Sequence, residues 1–389
     1  MKVLQLHTRY REPGGEDTVV AREHRLLSSA GHEVTTFNCE NPEDPARSAL
    51  ATAAAPWNVR TTRRLHRHIT RNRPDVAHVH NTWFAMTPAV IRTLSSHDVP
   101  VAMTLHNYRL LCVNASLFRD DATCEDCVGH APWPGVRHRC YRGSAVASAA
   151  VAGTIMLHRV IGTWQHHVDR FLVLNRFARD LFIRGGLPAD KLVVKPNFSP
   201  DHGRRDCAPS TSRTILFVGR TERLKGLGVV LDAWSRAQPG ALELLIIGDG
   251  PERRQYESRD VPGARFLGQQ PTAAVRRWMQ SSRALLFPSL LYEGQPMVIL
   301  EAFAAGLPVV AASHGDNVEL VGQFGDRWLA EPANVAAWAA AIRSLEADAG
   351  LDETSVKVRA VYETHYSESA ALRNLLATYD VVRQAARSA

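Results

Sequence analysis

The chain has 389 residues, which is too long for one ordinary compact domain and favours two. Hydrophobic residues make up 45% and charged residues 22%, and these globular values exclude a chain that is disordered as a whole. The formal net charge of +7 favours an acidic partner without identifying it.

Short β-forming runs alternate with helix-length segments along the whole chain, a pattern typical of parallel sheets with crossover helices. The first run soon meets Arg9 and lacks the long apolar core of a signal peptide, so we predict a strand there. Strands are predicted in two series, at residues 3–7, 33–38, 75–80, 101–106 and 170–175, then at 214–220, 242–248, 264–268, 284–288 and 308–312. The sequence therefore predicts an α/β fold of two doubly wound, Rossmann-like domains.

The helix predicted around residues 60–71 has one basic face, formed by Arg60, Arg64, Arg67 and Arg71. This face is compatible with simple solvation, or with docking onto an anionic membrane or a phosphorylated acceptor. No nucleic-acid-binding motif accompanies the charge, so we predict no nucleic-acid partner. No run is long and apolar enough to cross a bilayer, and we expect a cytoplasmic protein, with peripheral contact at the inner face of the membrane as an option.

Four of the six cysteines lie in an insertion at about residues 107–143, namely Cys112, Cys124, Cys127 and Cys140. A Cys-x2-Cys pair flanked by single cysteines is compatible with a tetrahedral structural zinc site. Buried or reactive free thiols, a disulfide and an iron–sulfur cluster are the alternatives, and a cytosolic setting disfavours the disulfide. We expect the insertion to lie above the strand ends of the first domain, where it could shape an acceptor site.

The domain boundary is predicted near residues 195–212, where prolines and charged residues interrupt the pattern. We place it at Phe198, which gives an N-terminal domain of residues 1–197 and a C-terminal domain of residues 198–367. The last segment, residues 368–389, is predicted to be helical.

Two cations lie at and after the end of the strand predicted at residues 214–220. They are Arg220 and Lys225, and they are flanked by Gly219 and Gly226. Glycines let the backbone approach a ligand closely, and Arg and Lys both form charge-assisted hydrogen bonds to phosphate oxygens. The turn is therefore suited to a diphosphate. Taken alone, the same residues are equally typical of an ordinary surface turn.

A second candidate site surrounds the helix that we predict to begin with Pro296. The free N–H groups near its start, between Gly294 and Met297, could bind anionic or hydroxyl-bearing ligand atoms. Glu293 lies in the loop before this helix. Glu301 lies in an apolar run within it, where an unpaired carboxylate is costly to bury. Glu301 therefore needs a basic neighbour or hydrogen bonds to ribose hydroxyls.

Together these motifs resemble the donor site of glycosyltransferase family 4, whose members are retaining enzymes with two Rossmann-like domains and a cleft between them, the GT-B architecture. Glu293 and Glu301 have seven residues between them, with Pro-Ser before and Ala-x-Ala-x-Gly-x-Pro-Val-Val after. The resemblance spans nearly the whole chain and extends to Gly14-Gly15, His106, Gly219-Arg220, Lys225-Gly226, Ile247-Gly248-Asp249-Gly250-Pro251 and Phe266-Leu267-Gly268. The Cys-rich insertion departs from the simple family pattern and indicates a subgroup.

The resemblance implies a role for each matching residue. Arg220 and Lys225 would bind the diphosphate, and Glu301 the ribose. His106 would reach the transferred sugar. The expected donor-binding residues are Gly14, Gly15, Gly219, Arg220, Lys225, Leu267, Glu293, Gly294, Gln295, Pro296, Met297, Val298 and Glu301, and the expected catalytic residues are His106, Glu293, Arg220 and Lys225. In this family the terminal helix is also expected to pack back on the N-terminal domain.

The sequence contains no Asp-x-Asp pair, so fixed cations and a helix N-terminus would neutralise the departing diphosphate and no divalent metal would be required. The predicted reaction moves a sugar, with retention, from a UDP- or GDP-sugar to a hydroxyl of a saccharide, a lipid-linked molecule or a natural product. The alternatives are a sugar-nucleotide epimerase of the same architecture and a basic, non-catalytic binding protein.

Overall fold

The computed structural model describes residues 1–9, 14–42, 44, 55–201, 203–347 and 350–388. Its contacts divide the chain into two units. The first comprises Met1–Arg119, Cys124–Asn197 and Ala371–Ala389, and the second comprises Asp120–Thr123 and Phe198–Ala370. Each unit has its own parallel sheet, which confirms the predicted α/β class with two doubly wound domains.

The first unit is built on a six-stranded parallel sheet in the order β2-β1-β3-β4-β7-β8. Its strands are β1 (Lys2–Arg9), β2 (Glu33–Glu40), β3 (Val76–Asn81), β4 (Val101–Leu105), β7 (Arg170–Val173) and β8 (Leu192–Val194). Strands β3 and β4 are buried along their whole length, as the centre of a parallel sheet requires. The strand order reverses beside β1, and ligands of such sheets bind at the carboxyl ends of the strands at this switch point.

Helices cover this sheet, and the insertion adds a short hairpin. The helices are α1 (Gly15–Ser29), α2 (Val59–Arg71), α3 (Ala89–Ser95), α4 (Trp133–Arg137), α5 (Ala145–Val160), α6 (Thr163–His167) and α7 (Arg176–Arg184), and the hairpin strands are β5 (Phe118–Arg119) and β6 (Ala122–Thr123). Helix α2 begins after Asn58, whose side-chain oxygen accepts the Thr61 N–H at 3.1 Å. It buries Leu65 and Ile69 and leaves its arginines exposed.

The second unit has a six-stranded parallel sheet in the order β11-β10-β9-β12-β13-β14. The strands are β9 (Thr214–Val218), β10 (Glu243–Ile247), β11 (Ala264–Gly268), β12 (Ala284–Phe287), β13 (Val309–Ala312) and β14 (Leu329–Ala330). In chain order this is the Rossmann arrangement, whose switch point lies between β9 and β12. The helices are α8 (Leu227–Ala237), α9 (Arg253–Glu257), α10 (Thr272–Ser281), α11 (Met297–Ala304), α12 (Asn317–Leu320), α13 (Val335–Ala347) and α14 (Leu351–Val361).

The last helix, α15 (Glu368–Ser388), carries apolar side chains into the core of the first unit. Leu375, Tyr379 and Val382 are fully buried there, in one hydrophobic cluster with Val3 and Val76. Residue 389 of the predicted terminal segment lies outside the described residues. The buried face shows that α15 is part of the hydrophobic core of the sheet formed by the N-terminal residues.

Adjacent valines on α15 test this packing. Val382 is fully buried and Val381 is 44% exposed. We expect Val382→Ala to lower the free energy of unfolding by about 2 kcal/mol, through lost apolar burial and a small cavity. The matched control Val381→Ala should change it by less than about 0.5 kcal/mol. Urea denaturation followed by circular dichroism measures both, and equal effects would contradict the packing described.

Candidate functional site

In the second unit, the loops that follow β9 and β10 are joined by backbone hydrogen bonds. The N–H of Gly219 donates to the carbonyl of Ile247 at 3.0 Å, and the N–H of Thr221 donates to the carbonyl of Asp249 at 3.1 Å. Gly248 has a φ of 136°, and a Cβ there would lie 1.9 Å from the carbonyl oxygen of Gly219. The crossing of the two loops therefore requires glycine at this position.

The loop after β9 is also held against the loop after β12. Gly226 is left-handed, with φ 73°, and a Cβ on it would lie 2.0 Å from the carbonyl oxygen of Pro288. The N–H of Leu290 donates to the carbonyl of Leu224 at 2.9 Å. These contacts fix the backbone on both sides of Lys225 at the switch point of the sheet.

Lys225 forms an ion pair with Glu293, with 2.7 Å between Nζ and Oε1. The hydroxyl of Ser289 donates to the same carboxylate oxygen at 2.6 Å. Burial alone would raise the pKa of Glu293, but the Lys225 charge and the two hydrogen bonds outweigh it and lower that pKa. Glu293 is therefore an ionised, oriented carboxylate, and Lys225 is a cation held in one place.

His314 supports this pair from the loop after β13. Its Nε2 lies 2.8 Å from the carbonyl oxygen of Ser289, to which it donates. Burial lowers the pKa of His314, although the Ser289 carbonyl and Glu293 oppose the shift. A neutral imidazole with its proton on Nε2 satisfies this contact. Neither Ser289 nor His314 was predicted as a site residue.

Other predicted donor-site residues lie around the same strand ends. Arg220 extends to solvent, with its side chain 55% exposed and Nε 3.5 Å from Oε2 of Glu222. Leu267 lies where the register between β10 and β11 shifts, so no residue of β10 is paired with it. Its carbonyl accepts a hydrogen bond from Gln270 Nε2 at 2.7 Å. The structure thus brings Lys225 together with Glu293, whereas Arg220 contacts Glu222.

The helix predicted to begin with Pro296 begins one residue later, so that prediction was wrong. Pro296 has ψ 114°, which is extended backbone, and α11 starts at Met297 followed by Val298. Proline is tolerated both directly before a helix and at its first residue, because the backbone N–H at either position would have no partner within the helix. Gln295 is buried beside it, and Glu301 is partly buried as the fifth residue of α11.

In the first unit, the glycine segment before α1 is attached to strand β1. The N–H of Gly14 donates to Oδ2 of Asp17 at 2.9 Å, and Oδ1 of Asp17 lies 2.9 Å from Nε2 of His7. Gly15 is the first residue of the helix. Burial lowers the pKa of His7, and Asp17 opposes the shift. The start of α1 is thus positioned at the carboxyl end of β1.

His106 follows β4 and is bonded to a second histidine. Its Nε2 lies 3.1 Å from Nδ1 of His80, and the two rings are stacked with centroids 5.4 Å apart. Burial, with Lys195 as the next contributor, places the pKa of His106 well below its ordinary value. His106 is therefore a neutral imidazole.

A buried polar network lies behind His106 and was not predicted from the sequence. Glu23, His78 and His80 place ligand-type atoms within 4.8 Å of one another, the one such group among the described residues. Lys195 forms a fully buried ion pair with Glu23. An ammonium on this carboxylate opposes a divalent cation at the same place, so the group reads as a polar network. The His-x-His spacing on β3 was the available signal, because alternate residues of a strand share a face.

The four cysteines of the insertion are not joined by disulfides in the structure. Cys127 is buried, and burial raises its pKa to about 11, with smaller contributions from Cys112, Cys124 and Cys140. Backbone strain is concentrated in the insertion, where non-glycine residues with positive φ are Ala115, Leu117, Asp120, Asp121, Arg139 and Arg142. Such conformations cost about 1 kcal/mol or more each, so the insertion needs cross-linking contacts to hold its shape. The zinc site remains a prediction.

Each half of the chain matches a protein-family model. Residues 13–199 match the model described as Glycosyltransferase Family 4. Residues 212–348 match the model described as Glycosyl transferases group 1.

Three similar proteins are informative. The amylovoran biosynthesis glycosyltransferase AmsK of Erwinia amylovora is 30% identical over 53% of this chain and 55% of its own length. The phosphatidyl-myo-inositol mannosyltransferase of Mycolicibacterium smegmatis is 26% identical over 77% of this chain and 72% of its own. A crystal structure of Anabaena HepE in complex with UDP has a TM-score of 0.69 and 16% identity, and covers 98% of this chain and 100% of HepE. The chain thus spans little more than half of AmsK, whereas the likeness to HepE extends over the whole fold and confirms the GT-B class.

The zinc prediction is tested by metal analysis of protein purified anaerobically without chelators. We expect about one zinc per chain, because four thiolates satisfy tetrahedral zinc. The variant Cys124→Ser with Cys127→Ser should lose the metal, whereas Cys207→Ser, which changes an exposed cysteine, should retain it. Wild-type protein with clearly sub-stoichiometric metal would reject the zinc site in favour of thiols.

Proposed function

We propose, because the chain belongs to glycosyltransferase family 4, that it transfers a sugar from a nucleotide-diphosphate donor to a hydroxyl group. The observation that carries the proposal is the Lys225–Glu293 ion pair at the switch point of the second sheet. Ligands of open parallel sheets bind beyond such strand ends. The two alternatives, a sugar-nucleotide epimerase and a basic binding protein, are not favoured by the family to which the chain belongs.

The donor diphosphate is proposed to bind at Lys225 and Arg220. An ammonium has three N–H donors, so Lys225 can keep its contact with Glu293 and still donate to phosphate. The exposed guanidinium of Arg220 can bind a second phosphate oxygen. Charge that develops on the leaving diphosphate is then neutralised by fixed cations, without a required divalent metal.

The remaining donor contacts are proposed from the family resemblance. Glu301 would bind the ribose, and the backbone of Leu267 the base. Glu293 and the backbone at residues 294–297 would bind the sugar. In the first unit, Gly14 and Gly15 would approach the phosphates and His106 the transferred sugar. Retention of configuration is proposed on the same basis.

The donor is proposed to be a UDP- or GDP-sugar, and the complex of HepE with UDP supports the UDP-sugar. The acceptor class is proposed to be a saccharide or a lipid-linked molecule. AmsK is named for polysaccharide biosynthesis, and the M. smegmatis relative for mannosyl transfer to a phosphatidylinositol. A natural-product hydroxyl is the third acceptor class proposed.

Peripheral contact with an anionic membrane is proposed for the basic face of α2. Arg60, Arg64, Arg67 and Arg71 are exposed, and helix α2 contains no acidic residue. Arg64 lies over the ring of Phe37 at 4.3 Å, and its guanidinium donates to the Asn38 carbonyl at 2.7 Å. In the described part of the chain, no helix is both long and apolar enough to span a bilayer.

Donor binding is tested by thermal unfolding with UDP, GDP, ADP and dTDP. A nucleotide at one hundred times its Kd should stabilise the protein by about 2.7 kcal/mol, and the selective one identifies the base. We expect Lys225→Ala and Glu301→Ala each to abolish the shift. Glu293→Ala should keep much of the shift and lose transfer. The exposed control Glu257→Ala should behave as wild type, and a full shift in Lys225→Ala would contradict the proposed diphosphate site.

Membrane contact is tested by sedimentation with phosphatidylglycerol vesicles and with phosphatidylcholine vesicles. Each arginine near an anionic surface contributes about 1 kcal/mol, so Arg67→Gln with Arg71→Gln should weaken binding about 30-fold. The charge-matched control Arg236→Gln with Arg277→Gln should bind as wild type. Equal binding to both kinds of vesicle would contradict an electrostatic membrane contact.

A further inference from the structure

His106, His80 and Glu23 form a continuous line of polar groups inside the first unit, here called the histidine relay. His80 is 3% exposed on β3, and Glu23 is fully buried on α1. Nδ1 of His80 lies 3.1 Å from Nε2 of His106, and Nε2 of His80 lies 3.8 Å from Oε2 of Glu23. Both ring nitrogens of His80 thus face a specific group.

The charge at the inner end of the histidine relay is fixed by Lys195. Lys195 is fully buried and contacts Oε1 of Glu23. The second oxygen, Oε2, is buried and has no hydrogen-bond partner among the described residues. This oxygen needs a positive dipole, because an unsatisfied buried carboxylate oxygen is costly.

Two imidazoles approach Oε2 of Glu23, and one of them is already engaged. His78 Nδ1 lies 3.6 Å from Oε2, but it also lies 2.7 Å from the hydroxyl of Tyr379. The other nitrogen of His78 lies 2.7 Å from Oγ1 of Thr104. Nε2 of His80 has no hydrogen-bond partner in the described structure. It is the group left to turn an N–H toward the carboxylate.

The alternative tautomer of His80 is electrostatically unfavourable. A bare Nε2 would turn its lone pair toward the lone pairs of Oε2. A protonated Nε2 turns the positive end of an N–H dipole toward the carboxylate instead. A neutral imidazole has one proton, so Nδ1 of His80 is then an acceptor. Its partner at 3.1 Å, Nε2 of His106, must therefore be the donor.

We infer that Glu23 and His80 fix the tautomer of His106, with the proton on Nε2 and a bare Nδ1 that accepts a hydroxyl proton of the transferred sugar. The last step rests on the proposed function, and the tautomer itself does not. His80 and Glu23 are positioning residues, because they act through His106. A His106 that accepts a hydrogen bond disfavours donors with an acceptor-only group, such as a carboxylate, at the contacted position.

The surroundings of the histidine relay keep both imidazoles neutral. Burial holds the pKa of His80 well below its ordinary value, and the neighbouring histidines and Lys195 lower it further. The same causes act on His106. His7 faces His80 from β1 with ring centroids 6.3 Å apart, and its own nitrogens lie 2.9 Å from Oδ1 of Asp17 and 3.9 Å from Oε1 of Glu16. Protonation therefore does not compete with the tautomer at neutral pH.

Ring ¹⁵N chemical shifts of histidine-labelled protein test the inference directly. The His106 signals are assigned by comparison with His106→Gln. At pH 7 we expect a protonated Nε2 and a bare Nδ1 for His106. A protonated Nδ1 on His106, or protons on both of its ring nitrogens, would overturn the inference.

Substitutions at His80 separate positioning from a general structural role. His80→Phe removes the acceptor, so His106 should become a mixture of tautomers and kcat/KM for transfer should fall about 5- to 20-fold. His80→Gln retains an acceptor oxygen, so His106 should keep its proton on Nε2. In this variant kcat/KM should stay within about threefold of the wild-type value. His24→Phe, at a histidine hydrogen-bonded to Gln5, should leave the tautomer unchanged.

The tautomer measurement and the nucleotide-binding measurement can fail independently of each other. If no nucleotide shifts the thermal transition, the proposed function fails while the tautomer measurement stands. If His106 has the expected tautomer but His80→Phe transfers sugar at the wild-type rate, the role of Nδ1 as an acceptor is overturned.

Discussion

The ion pair between Lys225 and Glu293 joins the two loops of the candidate donor site and orients the charged side chain that each loop contributes. Glu293 gives the partly buried Lys225 a counter-ion, and Glu293 is itself ionised because Lys225 and Ser289 stabilise its charge. The two residues come from loops that follow different strands. They meet because Gly226 allows one loop to lie against the Pro288 carbonyl of the other. The close approach of the two loops at Gly226 thus brings Lys225 within reach of Glu293.

The first unit also contains an ion pair between residues of different elements, but this pair is fully buried. There the buried charges are Glu23 and Lys195, and the groups that face outward from them are histidines. In the second unit a cation lies at the edge of the sheet, where an anion can reach it. In the first unit the charges are enclosed, and they act on His106 through the ring of His80. Each sheet presents its polar groups at the carboxyl ends of its strands, as parallel sheets generally do.

The fold class followed from the sequence because alternating β-forming and helical segments leave few other arrangements. The errors lie at element ends and edges. Strands β8 and β14 were not predicted, since three and two residues are too few to show a periodicity. Pro296 was placed one position too far into its helix, because a proline is equally acceptable before or at the first turn. For the candidate site, the motifs located Lys225 and Glu293 separately. The contact between them joins residues 68 positions apart, which no local pattern encodes. The histidine relay was missed for the same reason, although His78 and His80 alternate on one strand.

The proposed function requires a nucleotide diphosphate to bind at Lys225 and Arg220 in the second unit. The most direct measurement is a crystal structure of the protein with UDP or the nucleotide that stabilises it most. We predict that the diphosphate oxygens lie within hydrogen-bonding distance of Lys225 Nζ and the Arg220 guanidinium, beside the backbone at residues 294–297. A diphosphate bound elsewhere, with Lys225 still engaged only by Glu293 and Ser289, would contradict it.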